Sequence, residues 1–247
     1  MLKYIILGII QGLTEFLPVS SSGHLVVLQR IFGMTNGQVA TSVILHMGTL
    51  MSLCIFFFGD ILALLRDLKS LLLIFIATFI TGVIGICGKG FFEELFSSPE
   101  FVAFAWLVTG AVLILSKKFM QAKRHTVSLK DASMLGATQG LAIIPGLSRS
   151  GITISTLLFR GIDRETSFRF SFLASVPAIA GAAFVEAKDI HFIFQGDTKN
   201  FIIGFFCSLI VGLISLKFLR SIIHRSKFHY FGYYCIFAAT ITLILLR

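Results

Sequence analysis

The chain has 247 residues, 56% of them hydrophobic and 13% charged, with a formal net charge of +9. A soluble domain carries about 45–50% apolar and about 25% charged residues, and a globule of the present composition could not cover its surface with polar groups. A soluble enzyme, a nucleic-acid binder and a disordered chain are thereby excluded, which leaves an all-α polytopic membrane protein.

The chain opens with an apolar but interrupted segment, 4–32, which holds a proline, a serine cluster, glycines and the charged Glu15. Uninterrupted apolar stretches follow at 43–59, 70–88 and 101–116. A second interrupted segment, 134–159, repeats the same ingredients with Arg149 as its charge, and stretches at 171–185, 201–216 and 230–246 complete the chain. The six uninterrupted stretches are predicted membrane helices; those shorter than ~20 residues gain reach from snorkelling flanks such as Lys117 and Lys217. No cleaved signal peptide is expected, because Gln11 and Glu15 interrupt the first apolar run. Cys54, Cys87, Cys207 and Cys235 lie in apolar runs without metal-ligand spacing and read as small buried residues. The phenylalanines read as lipid-facing and packing surface.

Basic loops face the cytoplasm. The 117–130 loop carries Lys117, Lys118, Lys123, Arg124 and Lys130, and the 217–229 loop carries Lys217, Arg220, Arg225 and Lys227. The 60–69 loop then falls inside, and the 89–100 loop, with Glu93, Glu94 and Glu100, falls outside. Arg160, Arg164 and Arg169 also belong inside, yet they follow the second interrupted segment, which itself follows an inside loop. That segment must therefore dip in and return as a re-entrant helical hairpin.

The sequence also repeats. Gly8, Gln11, Gly12, Leu13, Pro18 and Ser20 to Gly23 align with Gly136, Gln139, Gly140, Leu141, Pro145 and Ser148 to Gly151, with a one-residue slip at the proline. Each interrupted segment precedes three spans, an odd number, so the second hairpin enters from the opposite face. The expected architecture is one membrane domain, 1–247. Its inverted repeats are 1–116 (hairpin 4–32 plus three spans) and 131–247 (hairpin 134–159 plus three spans), with the broken helices meeting near the midplane.

Irregular backbone at membrane depth is tolerated inside protein or beside water, and charged residues there are functional by default. Gln11 and Glu15 are four apart and share a helix face; Pro18 ends that helix, and serines cap the next one. Two serine-capped helix starts, several hydroxyls and Arg149 make an anion site, since free N–H groups, the helix dipole and a guanidinium fork all suit phosphate. Glu15 suits a site where a divalent cation bridges carboxylate and phosphate. His24 can act as nucleophile, base or acid. Together these point to phosphoryl chemistry on a lipid. His46, inside the first predicted span, reads either as a packed residue or as support for the site. His125, His224 and His229 lie in basic loops and are expected in solvent.

The segments QGLTEFLPVSSSGH (11–24) and PGLSRSGIT (145–153) closely resemble the two signatures of the undecaprenyl-diphosphate phosphatase family, also known for bacitracin resistance, and FSFLASVPAIAGA (170–182) extends the likeness. Gln11 is the glutamine form of the first signature's opening position. The resemblance implies a phosphatase that removes the terminal phosphate of a C55 polyprenyl diphosphate, recycling the carrier for peptidoglycan and cell-wall glycan synthesis. It implies a multi-pass protein of the bacterial cytoplasmic (inner) membrane, with its site open to the outer side and a divalent metal, Mg²⁺ or Ca²⁺, as cofactor. By position it implies that Arg149 holds the diphosphate and that Glu15 binds the metal or activates the attacking group. Ser21 is one nucleophile candidate and His24 the rival, or an acid or base. Gln11, Ser20, Ser22, Ser148, Ser150 and Thr153 would line the phosphate pocket. The expected partners are polyprenyl diphosphate and bilayer lipid, not nucleic acid; a homodimer stays open. A polyprenyl-phosphate flippase with the same plan is the alternative function.

Overall fold

The computed structural model describes residues 1–34, 38–96, 98–186 and 198–245. Leu246, at the end of the last predicted span, and the side chain of Glu93 lie outside them. Twelve α-helices form among these residues: α1 (Leu2–Thr14), α2 (Ser21–Ile31), α3 (Gln38–Phe56), α4 (Phe58–Leu64), α5 (Leu68–Cys87), α6 (Lys89–Phe96), α7 (Pro99–Ser116), α8 (Leu129–Leu141), α9 (Arg149–Phe159), α10 (Arg164–Glu186), α11 (Thr198–His224) and α12 (Tyr230–Leu245). No strand occurs among the described residues beyond one isolated bridge between Arg124 and Ile162. Five helices, α3, α5, α7, α10 and α11, are long and apolar enough to cross a membrane; α12 is apolar but shorter. The chain is a multi-pass membrane protein.

The two interrupted segments are helix pairs. α1 and α2 pack on each other, as do α8 and α9. Lys3 Nζ donates to Phe32 O at 2.7 Å, tying the open end of the first pair. Arg160 Nε donates to Asp131 Oδ1 at 2.9 Å at the same register of the second. Each pair thus returns to the end where it began. α1 lies along α11, α8 along α5, α7 along α12 and α3 against α10. The repeated glycines make two of these contacts possible. A Cβ on Gly8 would sit 2.7 Å from Gly204 O and one on Gly12 2.8 Å from Ser208 O; one on Gly136 would sit 2.5 Å from Ala77 O and one on Gly140 2.8 Å from Ile84 Cβ. Small residues let backbones approach closely where lipid offers no hydrophobic drive to associate.

Several helices exceed the apolar runs that mark them. α10 begins at Arg164, seven residues before the predicted span, and α11 runs to His224. The charges there are paired across loops: Arg169 with Asp60, Arg220 with Glu165 at 2.7 Å, and Arg124 and Arg160 with the buried Asp131. The basic loops therefore gather at one end of the molecule. Two histidine readings divide. His125 is exposed beside Asp163, as expected in a basic loop, whereas His229 is buried and stacked on Tyr230, because the chain folds it under the start of α12. Of the cysteines only Cys235 is buried; Cys87 is exposed on the outward face of α5, so burial was the wrong reading for it.

The largest buried cluster joins Phe16, Phe57, Phe168 and Phe172, with ring centroids 5.0–5.9 Å apart. Phe75, Phe79, Phe104, Phe206 and Phe237 face outward. The phenylalanines serve both uses read from the sequence.

Candidate active site

α1 stops at Thr14, four residues before Pro18, and 15–19 form turns. Ser20 then caps α2, its Oγ accepting from Gly23 N at 3.4 Å, with the backbone at φ +66°. That conformation is costly for a residue with a Cβ and persists only where the surroundings enforce it. In the second pair Ser148 caps α9 by accepting from Gly151 N at 3.2 Å. The two breaks meet: Gly146 N donates to Ser20 Oγ at 3.1 Å, and a Cβ on Gly151 would lie 3.2 Å from Pro18 Cβ. Both helix N-termini converge there, the arrangement that favours an anion.

α7 holds both breaks. Trp106 Nε1 donates to Val19 O at 2.8 Å, and one turn on Thr109 Oγ1 donates to Gly146 O at 3.0 Å while accepting from Ser148 N at 3.1 Å.

Glu15 is the hub. Its side chain is 3% exposed, and Arg149 is ion-paired to Oε1. Oε2 accepts from Ser21 Oγ at 2.6 Å and from Gln11 Nε2 at 3.0 Å, with His46 Nε2 at 3.5 Å. Ser21 and Arg149 are equivalent positions of the repeat, and both reach the same carboxylate from opposite breaks. Glu15 itself has no acidic counterpart: the aligned position is Ile143.

Two buried atoms in this cluster lack partners, Arg149 Nη1 and Gln11 Oε1. The first is a spare donor for an anion; the second is a spare oxygen beside a carboxylate. Such oxygen donors fit a hard divalent cation. Among the described residues no three His, Cys, Asp or Glu side chains gather as a metal cage, so a bound cation would complete its shell with substrate oxygens and water.

The remaining predicted residues fall around this hub. Ser22 Oγ is 3.2 Å from Ser20 Oγ, and Ser150 Oγ is 3.3 Å from Ser148 Oγ, the same pair in each repeat. Thr153 meets Ser171 of α10 at 2.6 Å. His24 is not in the Glu15 cluster: Nδ1 is 2.7 Å from Ser20 O and Nε2 is 2.7 Å from Tyr234 Oη.

Similar proteins share nearly the full length. The family model described as "Bacitracin resistance protein BacA" matches residues 4–241. The chain belongs to this family. A protein of Carboxydothermus hydrogenoformans named undecaprenyl-diphosphatase is 40% identical over 98% of this chain and 96% of its own length. One of Halothermothrix orenii with the same name is 41% identical over 98% and 97%, and one of Methanosphaera stadtmanae is 37% identical over 99% and 97%. In this bacitracin-resistance family member, four of the residues that the sequence marks, Gln11, Glu15, Ser21 and Arg149, lie together. The sequence leaves His46 open and does not mark Thr49, Trp106, Thr109 or Tyr234. Thr49 Oγ1 is 3.5 Å from Gln11 Nε2. The only signal for these was a polar or aromatic residue inside an apolar run.

Proposed function

We propose that the chain is an undecaprenyl-diphosphatase, an integral-membrane phosphatase that converts undecaprenyl diphosphate to undecaprenyl phosphate. Its product re-enters peptidoglycan and cell-wall glycan synthesis, and its activity confers bacitracin resistance. The observation that carries the reading is the Ser21 hydroxyl donating to the buried Glu15 carboxylate at 2.6 Å beside Arg149. A hydroxyl on a base, with the base oriented by further groups, is the mark of an activated nucleophile. Gln11 and His46 are those further groups here.

In this reading the terminal phosphate competes with Glu15 for the Arg149 guanidinium, whose Nη1 is already unpartnered. Released from that pairing, Glu15 takes the Ser21 proton while Ser21 Oγ attacks the terminal phosphorus. The bond from that phosphorus to the bridging oxygen breaks, and undecaprenyl phosphate leaves with the oxygen. Water then cleaves the phosphoserine, its oxygen going to phosphorus and one proton to Ser21 Oγ, while Glu15 gives up the proton it took, so that inorganic phosphate leaves and both side chains return to their starting state. Arg149 and the two helix N-termini neutralise the charge that grows on the phosphoryl oxygens. Ser20, Ser22, Ser148, Ser150 and Thr153 line and shape the pocket. His24, with both ring nitrogens engaged, is not the attacking group. Glu15 and Gln11 Oε1 would hold a divalent metal, Mg²⁺ or Ca²⁺, which when bound screens the diphosphate charge.

The architecture read with this function is six spans, the sixth being α12, and two re-entrant hairpins, α1 with α2 and α8 with α9. The two halves are inverted repeats. Supporting it are the tied ends at Lys3 and Phe32 and at Asp131 and Arg160, and the matched packing of α1 on α11 and α8 on α5. The gathered basic loops would face the cytoplasm and the site would open to the outer side of the bacterial inner membrane. One copy supplies the whole cluster, so the reading does not require a homodimer.

Purified protein in detergent, given undecaprenyl diphosphate and Mg²⁺, is expected to release inorganic phosphate, and Ser21→Ala and Arg149→Ala are expected to abolish release. A flippase without hydrolytic activity would release none, and that result would reject the reading.

A further inference from the structure

Three consecutive carbonyls precede Ser21, and each is met by a donor from a different helix. Pro18 O faces Cys235 Sγ of α12 at 3.5 Å, Val19 O accepts from Trp106 Nε1 of α7 at 2.8 Å, and Ser20 O lies 2.7 Å from His24 Nδ1 of α2. A carbonyl only accepts, so His24 Nδ1 carries the proton. In the neutral ring Nε2 is then a bare acceptor, filled by the Tyr234 hydroxyl of α12 at 2.7 Å. The Tyr234 and His24 ring planes are nearly parallel, 11° apart, and Trp106 meets the histidine edge-on with centroids 5.1 Å apart. Trp106 also presses on Gly23, where a Cβ would lie 2.8 Å from its ring. These contacts surround the strained residue, Ser20 at φ +66°, directly before the proposed nucleophile.

We propose that Trp106 and Tyr234 are positioning residues for Ser21, acting through the backbone of the break, and that His24 is the link between Tyr234 and that backbone. The inference rests on Ser21 being the attacking group. His24 then contributes a fixed N–H at Nδ1, not a titrating or nucleophilic ring. Tyr234 fixes the tautomer and the ring plane, and Trp106 fixes the preceding carbonyl. Together they hold Ser20 in a conformation that a free chain avoids, so that the Ser21 hydroxyl meets Glu15.

The test exploits amide shape. An asparagine amide nitrogen overlays His Nδ1 and keeps the donor to Ser20 O; a glutamine amide nitrogen overlays Nε2 and loses it. His24→Asn is expected to retain at least about a tenth of wild-type kcat and His24→Gln to fall at least ten times lower, the scale of one buried hydrogen bond left unmade. Tyr234→Phe is expected to lower kcat about 3- to 10-fold with KM held, because the phosphate-binding Arg149 is untouched. Thermal melting in detergent would show that each variant is folded. Equal activity of the Asn and Gln variants, both lost or both kept, overturns the proposal, as does a Tyr234→Phe effect confined to KM. Should either histidine variant fail to fold, the Tyr234→Phe split decides alone. Wild type that forms no phosphoserine would reject Ser21 as nucleophile, a failure read independently of the Asn and Gln comparison.

Discussion

Arg149→Lys keeps the charge and removes the fork. In the structure one guanidinium arm engages Glu15 Oε1 while Nη1 is buried and unpartnered, so the side chain can serve carboxylate and phosphate from two directions at once. A lysine ammonium is a point charge on a flexible stem and cannot span both. The side chain is 18% exposed and Glu15 3%, so water cannot replace the missing contact cheaply. Removing one main donor to a developing oxyanion costs roughly 10²–10³ in kcat, about 2.7–4 kcal/mol. Because the pair keeps its charge balance, folding should change little, whereas Arg149→Ala leaves Glu15 buried without its cation and should destabilise by about 3–5 kcal/mol. Phosphate release under saturating lipid, with melting temperatures of both variants, separates these effects. A lysine variant within threefold of wild type would refute the fork argument.

Other outcomes follow from single contacts. Gln11→Glu should keep activity at saturating metal and become more metal-dependent, because without a cation two carboxylates would sit together in place of the donation at 3.0 Å; metal titration of the rate checks it. Gly136→Ala, whose Cβ would lie 2.5 Å from Ala77 O, should force α8 off α5 and lower stability by about 1–3 kcal/mol, measured by thermal unfolding. Arg124, Ser128 and Arg160 hold the Asp131 carboxyl well below the usual carboxylate range despite its burial. Its contribution to stability is therefore full above the ordinary unfolded carboxylate pKa of about 4 and fades as pH falls below it. Asp131→Asn should lower the melting temperature at pH 7, and the gap to wild type should narrow below about pH 4. In a cysteine-free background, Lys123→Cys should react only with membrane-permeant reagents from outside the cell and Gly90→Cys also with impermeant ones; the reverse would invert the orientation.

The site was legible where its chemistry is local. A proline and serine cap interrupting an apolar run mark a break, and a four-residue spacing puts Gln11 and Glu15 on one face; both are properties of neighbours in sequence. Glu15 and Arg149 stood out because a charge between apolar runs has few bland explanations. His46, Trp106, Thr109 and Tyr234 did not, since what makes them matter is which helix packs beside which, across as many as 210 residues for His24 and Tyr234. A tryptophan in an apolar run reads as packing until its N–H is seen on the Val19 carbonyl. The helix ends depart from the expected spans for a related reason. Charge is expected to end a span, but Arg169 and Arg220 are paired across the gathered loops and let α10 and α11 continue as helix. His229 departs from the solvent exposure that a basic loop suggests, because tertiary packing buries it.

The central claim is that Ser21, activated by Glu15, takes the phosphoryl group. Rapid acid or base quench of wild-type protein turning over undecaprenyl diphosphate, followed by peptide mass spectrometry, tests it most directly. Phosphoserine at Ser21, which is stable in acid, present in wild type and absent in Ser21→Ala, is the predicted result. An acid-labile phosphate on His24, or full turnover by Ser21→Ala, would contradict it.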